Sequence, residues 1–148
     1  MCGISGIIKK NSSDIKDLES EIRKMSLSLK HRGPDNSGIW IDNTNGIALG
    51  HQRLSILDLS TAGNQPMLSN DSSIVISFNG EIYNHLEIRK KLENYPHKHF
   101  EWKSNTDTET LLRAFDIWGI PETLQICLGM FSLALWDKKK KNFNFSKR

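Results

Sequence analysis

Cys2 stands one peptide bond from the start of the chain, in the run Met1-Cys2-Gly3-Ile4-Ser5-Gly6-Ile7. Loss of Met1 would leave it with both a thiol and a free α-amine. An α-amine titrates at about 7.7–8.0 and is a base near neutral pH. A thiol attacks well once a base or a lowered pKa makes it a thiolate. One residue would then supply nucleophile and base together. The competing reading of Cys2 is a small buried hydrophobe at a chain end. Three further stretches also carry two readings. Asn79-Gly80-Glu81 closes an apolar run; Asn-Gly is the strongest short signal for a hairpin turn. An amide side chain beside a bare glycine N–H is equally the donor pair that an oxyanion hole requires. Arg53, within His51-Gln52-Arg53-Leu54-Ser55, reads as an exposed strand arginine or as a bidentate clamp for a carboxylate. Asp107, in the first turn of an expected helix, either complements the helix dipole or serves as counter-ion for an ammonium group.

Combined, these groups describe a single substrate. An arginine and an aspartate suggest an α-amino acid. A thiol beside an oxyanion hole suggests acyl transfer at that amino acid's side chain. Free glutamine fits, because its side-chain amide is the acyl group and ammonia is what leaves.

The elements that must hold these residues follow from periodicity. Gly3 to Ile8 reads as a buried strand. Residues 11–14 read as a turn and helix start, and Ile15, Leu18, Ile22, Met25 and Leu29 recur at helical spacing to about Lys30. His31-Arg32-Gly33-Pro34-Asp35 breaks that helix, because Pro34 biases Gly33 away from helical geometry. Gly38–Ile41 and Ile47–Ser55 read as strands joined by a turn at Asp42–Gly46, and Leu59–Asn70 as a loop. Ser73–Phe78 alternates as a strand with Ile74, Ile76 and Phe78 on one face, and Asn79-Gly80 is expected to turn the chain. Leu86–Asn94 is expected to be helical and His97–Lys103 a strand. Thr106 and Glu109 fit a capping box that opens a helix through Leu111, Leu112, Phe115 and Trp118. A short helix at Pro121–Ile126, a strand at Met130–Trp136, a turn, and a strand from Phe143 to Phe145 complete the order. Strands and helices intermingle, so the class is α+β.

Composition sets outer bounds. The chain has 148 residues, 37% hydrophobic and 25% charged, with a net charge of +3, which suits one soluble globular domain over residues 1–148. No apolar run approaches the roughly 18 residues of a membrane span and no signal peptide opens the chain; a cytoplasmic protein without a membrane partner is expected. Four of the positive charges fall in Lys138–Lys141, a solvated hairpin tip rather than a nucleic-acid footprint. Cys127 reads as a buried core residue, and neither it nor Cys2 has metal-ligand spacing. His51, His85, His97 and His99 show no pairing that makes a metal site, and all read as structural.

Five stretches lie in order along the chain: Cys2-Gly3-Ile4-Ser5-Gly6; His31-Arg32-Gly33-Pro34-Asp35 with Gly38; Arg53-Leu54-Ser55-Ile56; Asn79-Gly80-Glu81-Ile82-Tyr83-Asn84; and Thr106-Asp107-Thr108-Glu109. Together they resemble the glutaminase domain of class II, N-terminal-nucleophile glutamine amidotransferases, and within that class the glutaminase domain of glutamine-hydrolysing asparagine synthetases. The resemblance implies a four-layer αββα sandwich with two antiparallel sheets. It implies Cys2 as nucleophile with its α-amine as base, and Asn79 and Gly80 as the oxyanion hole. Arg53 would hold the glutamine α-carboxylate, and Asp107, helped by Gly80 and Glu81, the α-ammonium. Arg53, Leu54, Ser55, Ile56 and Leu57 would form a wall of the pocket, and His31 would belong to a loop covering it.

The partners implied are L-glutamine and an ATP-dependent synthetase domain or subunit, with a homodimer for the full-length enzyme. No cofactor is implied for this domain; ATP and magnesium belong to the synthetase domain, whose Ser-Gly-Gly-x-Asp-Ser loop does not occur in this sequence. Similar proteins continue past the last strand through an Asp-Arg-x-Gly-x-Lys-Pro-Leu stretch, so a C-terminally incomplete domain is expected. The function implied is hydrolysis of glutamine to glutamate and ammonia, the ammonia destined for asparagine synthesis. Alternatives are a catalytically silent remnant or interaction module, or an ammonia donor to another amide acceptor such as a surface sugar.

Overall fold

Alternation along the strands sets the layering of the chain, which a computed structural model describes over residues 2–9 and 17–147. The elements run β1 (Gly3–Ile8), α1 (Leu18–Ser28), β2 (Asn36–Asp42), β3 (Ile47–Arg53), β4 (Met67–Leu68), β5 (Ile74–Ile82), α2 (His85–Glu93), α3 (Asp107–Trp118), α4 (Ile120–Ile126), β6 (Gly129–Asp137) and β7 (Asn142–Lys147). One antiparallel sheet has the order β1-β3-β2 and the other β4-β5-β6-β7. Successive residues of a strand face opposite sides, and three separate cores show the result. Ala48 packs with Leu18 and Ile22 of α1 on the outer side of the first sheet. Its neighbours Ile47 and Leu49 pack with Val75, Ala134 and Trp136 between the sheets. Ile74, Ile76 and Phe78 pack with Phe131, Leu133 and Leu135 against Ile88, Leu92, Leu111 and Phe115 of α2 and α3. Helix, sheet, sheet and helices therefore form four layers, the α+β sandwich expected. Each fully buried Leu, Ile or Phe contributes about 1.5–3 kcal/mol relative to exposure, so the period-2 pattern leaves no second register in which both faces stay covered.

Local expectations fared unevenly. The turn and helix start at 11–14, with Ile15, lie outside the described residues. Leu18 and Ile22 face the core, but Met25 is exposed, and after α1 a 3-10 turn spans Lys30–Arg32. The loop Leu59–Asn70 holds a 3-10 turn at Thr61–Gly63 and the short β4. Asn79-Gly80 does not turn the chain. The strand continues to Ile82, with Asn79 opposite Ser132 and Gly80 opposite Phe131, because a long ladder with β6 outweighs a two-residue turn preference. No strand forms at His97–Lys103. The alternation of Phe100 and Trp102 covers helices instead of filling a sheet: the two rings stack at 5.7 Å and the Arg89 guanidinium lies 4.0 Å over Trp102. The capping box is half formed. Thr106 Oγ1 accepts the Glu109 N–H at 3.2 Å, but the Glu109 carboxylate accepts the N–H groups of Lys103 and Ser104 rather than that of Thr106.

Candidate active site

Cys2 leads into β1, and the antiparallel pairing of β1 with β3 sets Gly3 opposite Gln52. That register brings Cys2 alongside the residues that leave β3. The Leu54 N–H donates to Cys2 Sγ at 3.3 Å, and the thiol lies 3.6 Å from the Leu54 carbonyl oxygen. Leu54 is itself fixed from behind: the Asp35 N–H donates to the Arg53 carbonyl at 3.0 Å, and Asp35 Oδ2 accepts the Ser55 N–H at 2.7 Å. The His31–Asp35 motif thus buttresses the wall through Asp35. His31 is exposed, with Nδ1 at 3.1 Å from the Ser28 carbonyl, and lines no part of the cavity described below.

Arg53 is buried, not an exposed strand arginine. Nη1 donates to the Ser60 carbonyl at 2.7 Å and to Asn64 Oδ1 at 2.8 Å, and Nη2 donates to the Asp58 carbonyl. A guanidinium has five N–H donors; the two others have no acceptor among the described residues. Asp58 ties this loop to the next element by accepting the Ser60 N–H at 2.8 Å and the Asn105 N–H at 3.0 Å. Hydrogen bonding from the Ser60 side chain first, and then from the Asn105 and Ser60 N–H groups, holds its carboxyl down at about 2. Asn105 precedes Thr106, the residue that caps α3, so this hydrogen bond joins the arginine loop to the start of α3.

Asp107 is buried at the first turn of α3, where Oδ2 accepts the Ile82 N–H at 3.0 Å. Burial raises its pKa, an effect opposed by that hydrogen bond and by His85. A carboxylate in this position is held at a cost that a cation would offset.

Asn79 and Gly80 belong to β5, and the strand parity turns Asn79 toward the same side as Val75, facing the first sheet. Asn79 Oδ1 is buried without a hydrogen-bond partner among the described residues. Gly80 has φ +144°, and a Cβ there would meet Met130 O at 2.3 Å and Phe131 Cα at 2.4 Å, so only glycine keeps the strand at this point.

One cavity of about 220 Å³ is lined by Cys2, Arg53, Leu54, Ile56, Leu57, Asn79, Gly80, Glu81 and Asp107. Ser55 is the exception among the expected residues: it borders the adjoining hollow with Asp35, Ser60 and Asn64. The cavity also includes Asp58, Gly63, Gln65, Phe78, Tyr83, Thr106, Thr108 and Met130; Tyr83, Thr106 and Thr108 stand in the ordered motifs, but none of the eight has a site role assigned from the sequence. Gly63 carries a signal only in three dimensions, since a Cβ there would lie 2.2 Å from Arg53 Nη2. The rim is apolar, with Ile56 73% and Met130 70% exposed. Among the described residues no group of three His, Cys, Asp or Glu is arranged to hold a metal ion, and no helix is long and apolar enough to cross a membrane.

The fold is shared with glutamine phosphoribosylpyrophosphate amidotransferase from Bacillus subtilis, whose structure superposes with a TM-score of 0.65 at 20% identity, covering 93% of this chain and 35% of that one. The family model for the glutamine amidotransferase domain matches residues 1–147, and the chain belongs to that family. Asparagine synthetase [glutamine-hydrolyzing] 2 of Bacillus subtilis is 40% identical, over 95% of this chain and 18% of its own length. Asparagine synthetase B [glutamine-hydrolyzing] of Escherichia coli is 39% identical, over 95% of this chain and 24% of its own length. Asparagine synthetase [glutamine-hydrolyzing] 1 of Arabidopsis thaliana is 34% identical, over 97% and 23%. The chain spans about a quarter or less of the length of these three relatives.

Proposed function

We propose that this chain hydrolyses the side-chain amide of L-glutamine, releasing L-glutamate and ammonia, and that the ammonia serves an ATP-dependent synthetase domain or subunit that makes asparagine. The observation that carries the reading is the single cavity in which Cys2, Arg53, Asn79, Gly80 and Asp107 meet. The names of the relatives support the glutamine substrate and the asparagine product.

In this mechanism the two unspent N–H groups of Arg53 take the α-carboxylate and the Asp107 carboxylate takes the α-ammonium. The side-chain amide then reaches Cys2. The α-amine of Cys2, free once Met1 is gone, accepts the thiol proton as Sγ attacks the amide carbon. Negative charge moves to the amide oxygen, where the Asn79 side-chain amide and the Gly80 N–H oppose it; donors preorganised for a developing oxyanion are worth about 10²–10³ in rate each. The carbon–nitrogen bond breaks, the proton passes from the α-amine to the leaving nitrogen, and ammonia departs. Water, deprotonated by the same amine, attacks the thioester; glutamate leaves and the thiol is restored. ATP and magnesium act in the synthetase half, and the exposed apolar rim at Ile56, Tyr83 and Met130 suits contact with such a domain.

The test is a glutaminase assay combined with labelling by a chloroketone analogue of glutamine. Glutamate release, and a covalent adduct at Cys2 in a chain lacking Met1, are expected. Release of glutamate by Cys2→Ala would sink the mechanism. A chain that neither labels nor turns over would mark a silent module.

A further inference from the structure

The Gln65 side chain is buried at the cavity wall, and both ends of its amide are spent within the protein. Oε1 accepts the Phe78 N–H at 2.6 Å, and Nε2 donates to Thr108 Oγ1 at 3.3 Å. The Phe78 carbonyl, which forms the peptide with Asn79, accepts His51 Nε2–H at 3.0 Å. The two peptide groups flanking Phe78 are therefore each gripped by a buried side chain: Gln65 from the loop before β4, and His51 from β3. Thr108 follows Asp107, and His51 lies two residues before Arg53. One chain of hydrogen bonds thus joins the start of α3, the strand leading to Asn79 and the strand leading to Arg53.

We infer that Gln65 is a positioning residue that sets the depth of Asn79 relative to Asp107. The inference rests on the glutaminase reading, in which Asp107 anchors the α-ammonium and Asn79 meets the oxyanion. The separation of those two groups has to match the length of the glutamine side chain. Asn79 follows Phe78 on β5 and Asp107 precedes Thr108 on α3; Asp107 itself bonds β5 at the Ile82 N–H, beyond Asn79, and the Gln65 amide bonds to both Phe78 and Thr108 on the other side of it. A shift of the strand toward or away from α3 would leave the ammonium bound but misplace the oxyanion donor, and misplacement of about 1 Å is enough to cost on the order of a hundredfold in rate.

Gln65→Met keeps the length of the side chain and removes both hydrogen bonds. It is expected to lower kcat about tenfold or more, the scale of one lost buried hydrogen bond, with KM for glutamine within about twofold. Thr108→Val, which removes only the α3 end of the bridge, gives a smaller loss of the same kind and keeps the inference testable if the first variant folds poorly. In an Asn79→Ala background Gln65→Met costs little more, since the group it positions is gone. An equal fold-loss in both backgrounds, or a rise in KM with unchanged kcat, overturns the inference. Amide hydrogen exchange separates it from failure of the glutaminase reading. Gln65→Met should speed exchange at both Asn79 and Thr108 while leaving Val75 unchanged, whether or not glutamine is hydrolysed. Unchanged exchange at both overturns the positioning role even in an active enzyme.

Discussion

The Leu54 N–H points at the Cys2 Sγ from 3.3 Å, and Asp35 braces Leu54 from the other side through its neighbours Arg53 and Ser55. The sulfur is oriented by a backbone group that owes its own position to a motif some twenty residues earlier. Asp35→Ala removes the carboxylate that accepts the Ser55 N–H. A loss of about 1–1.5 kcal/mol, roughly tenfold in kcat/KM, is expected. Asp35→Asn keeps an acceptor oxygen and should lose only roughly threefold. Steady-state glutamine hydrolysis measures both; identical activity in wild type and Asp35→Ala would remove the buttress from the account.

Asp107 is a buried carboxylate whose pKa burial raises. Its folded pKa lies above the unfolded one, so the ionised form is a net cost to the fold above that range and the cost disappears at lower pH. Asp107→Asn retains an oxygen for the Ile82 N–H and relieves the charge. The thermal midpoint should hold or rise, while KM for glutamine rises about ten- to a hundredfold with loss of the ion pair to the ammonium. A fall in stability with unchanged KM would contradict the assignment.

Gly63 lies against the guanidinium. A Cβ would come 2.2 Å from Arg53 Nη2 and 3.0 Å from Thr106 Cγ2. Gly63→Ala must displace Arg53 from the acceptors that aim it, so KM should rise about tenfold or more with kcat less affected. Isothermal titration with glutamate, the product with the same α-carboxylate, gives the same weakening without turnover. Unaltered glutamate affinity would show that Arg53 has room to adjust.

His51 couples stability to pH. It is 1% exposed, and Nδ1 has no hydrogen-bond partner among the described residues. Burial, reinforced by the Arg53 charge and opposed by the hydrogen bond to Phe78, lowers its pKa from 6.5 to about 4. The unfolded chain takes up the proton near 6.5 and the folded one only near 4, so stability falls as pH drops through that window. The His51 contribution to that loss is about 2 kcal/mol by about pH 5. Denaturant unfolding at neutral and mildly acidic pH reads it directly, and His51→Gln should flatten the slope. An unchanged slope in that variant would refute the assignment.

Much of the α+β fold was legible because period-2 and period-3.6 patterns report which side of an element is buried. Ile74, Ile76 and Phe78 were readable as one strand face and Leu111, Leu112 and Phe115 as parts of one helix, and all six share one core. The failures share a cause. Asn79-Gly80 has the composition of a turn and stays in a strand because β6 supplies partners from fifty residues away. Phe100 and Trp102 alternate like a strand and cover helices instead. Local signals lose wherever a distant element supplies the better partner.

For the cavity, the types and order of Cys2, Arg53, Asn79-Gly80 and Asp107 were sufficient to name a thiol, a cation, an amide with a bare N–H, and an anion, and so to suggest an α-amino acid with a side-chain amide. That much is chemistry, and residue type carries it. Gln65, Gly63 and Asp58 were silent, and Asp35 stood in a motif without a role of its own, because their importance is one of contact: a hydrogen bond to a peptide of β5, an absent methyl against a guanidinium, a link between two loops, a brace behind Leu54. Sequence alone determined which groups the chain brings to the cavity and the alternation that builds its layers. Only the tertiary structure decided which residues hold those groups in register, because positioning depends on distances between segments that the linear order does not contain.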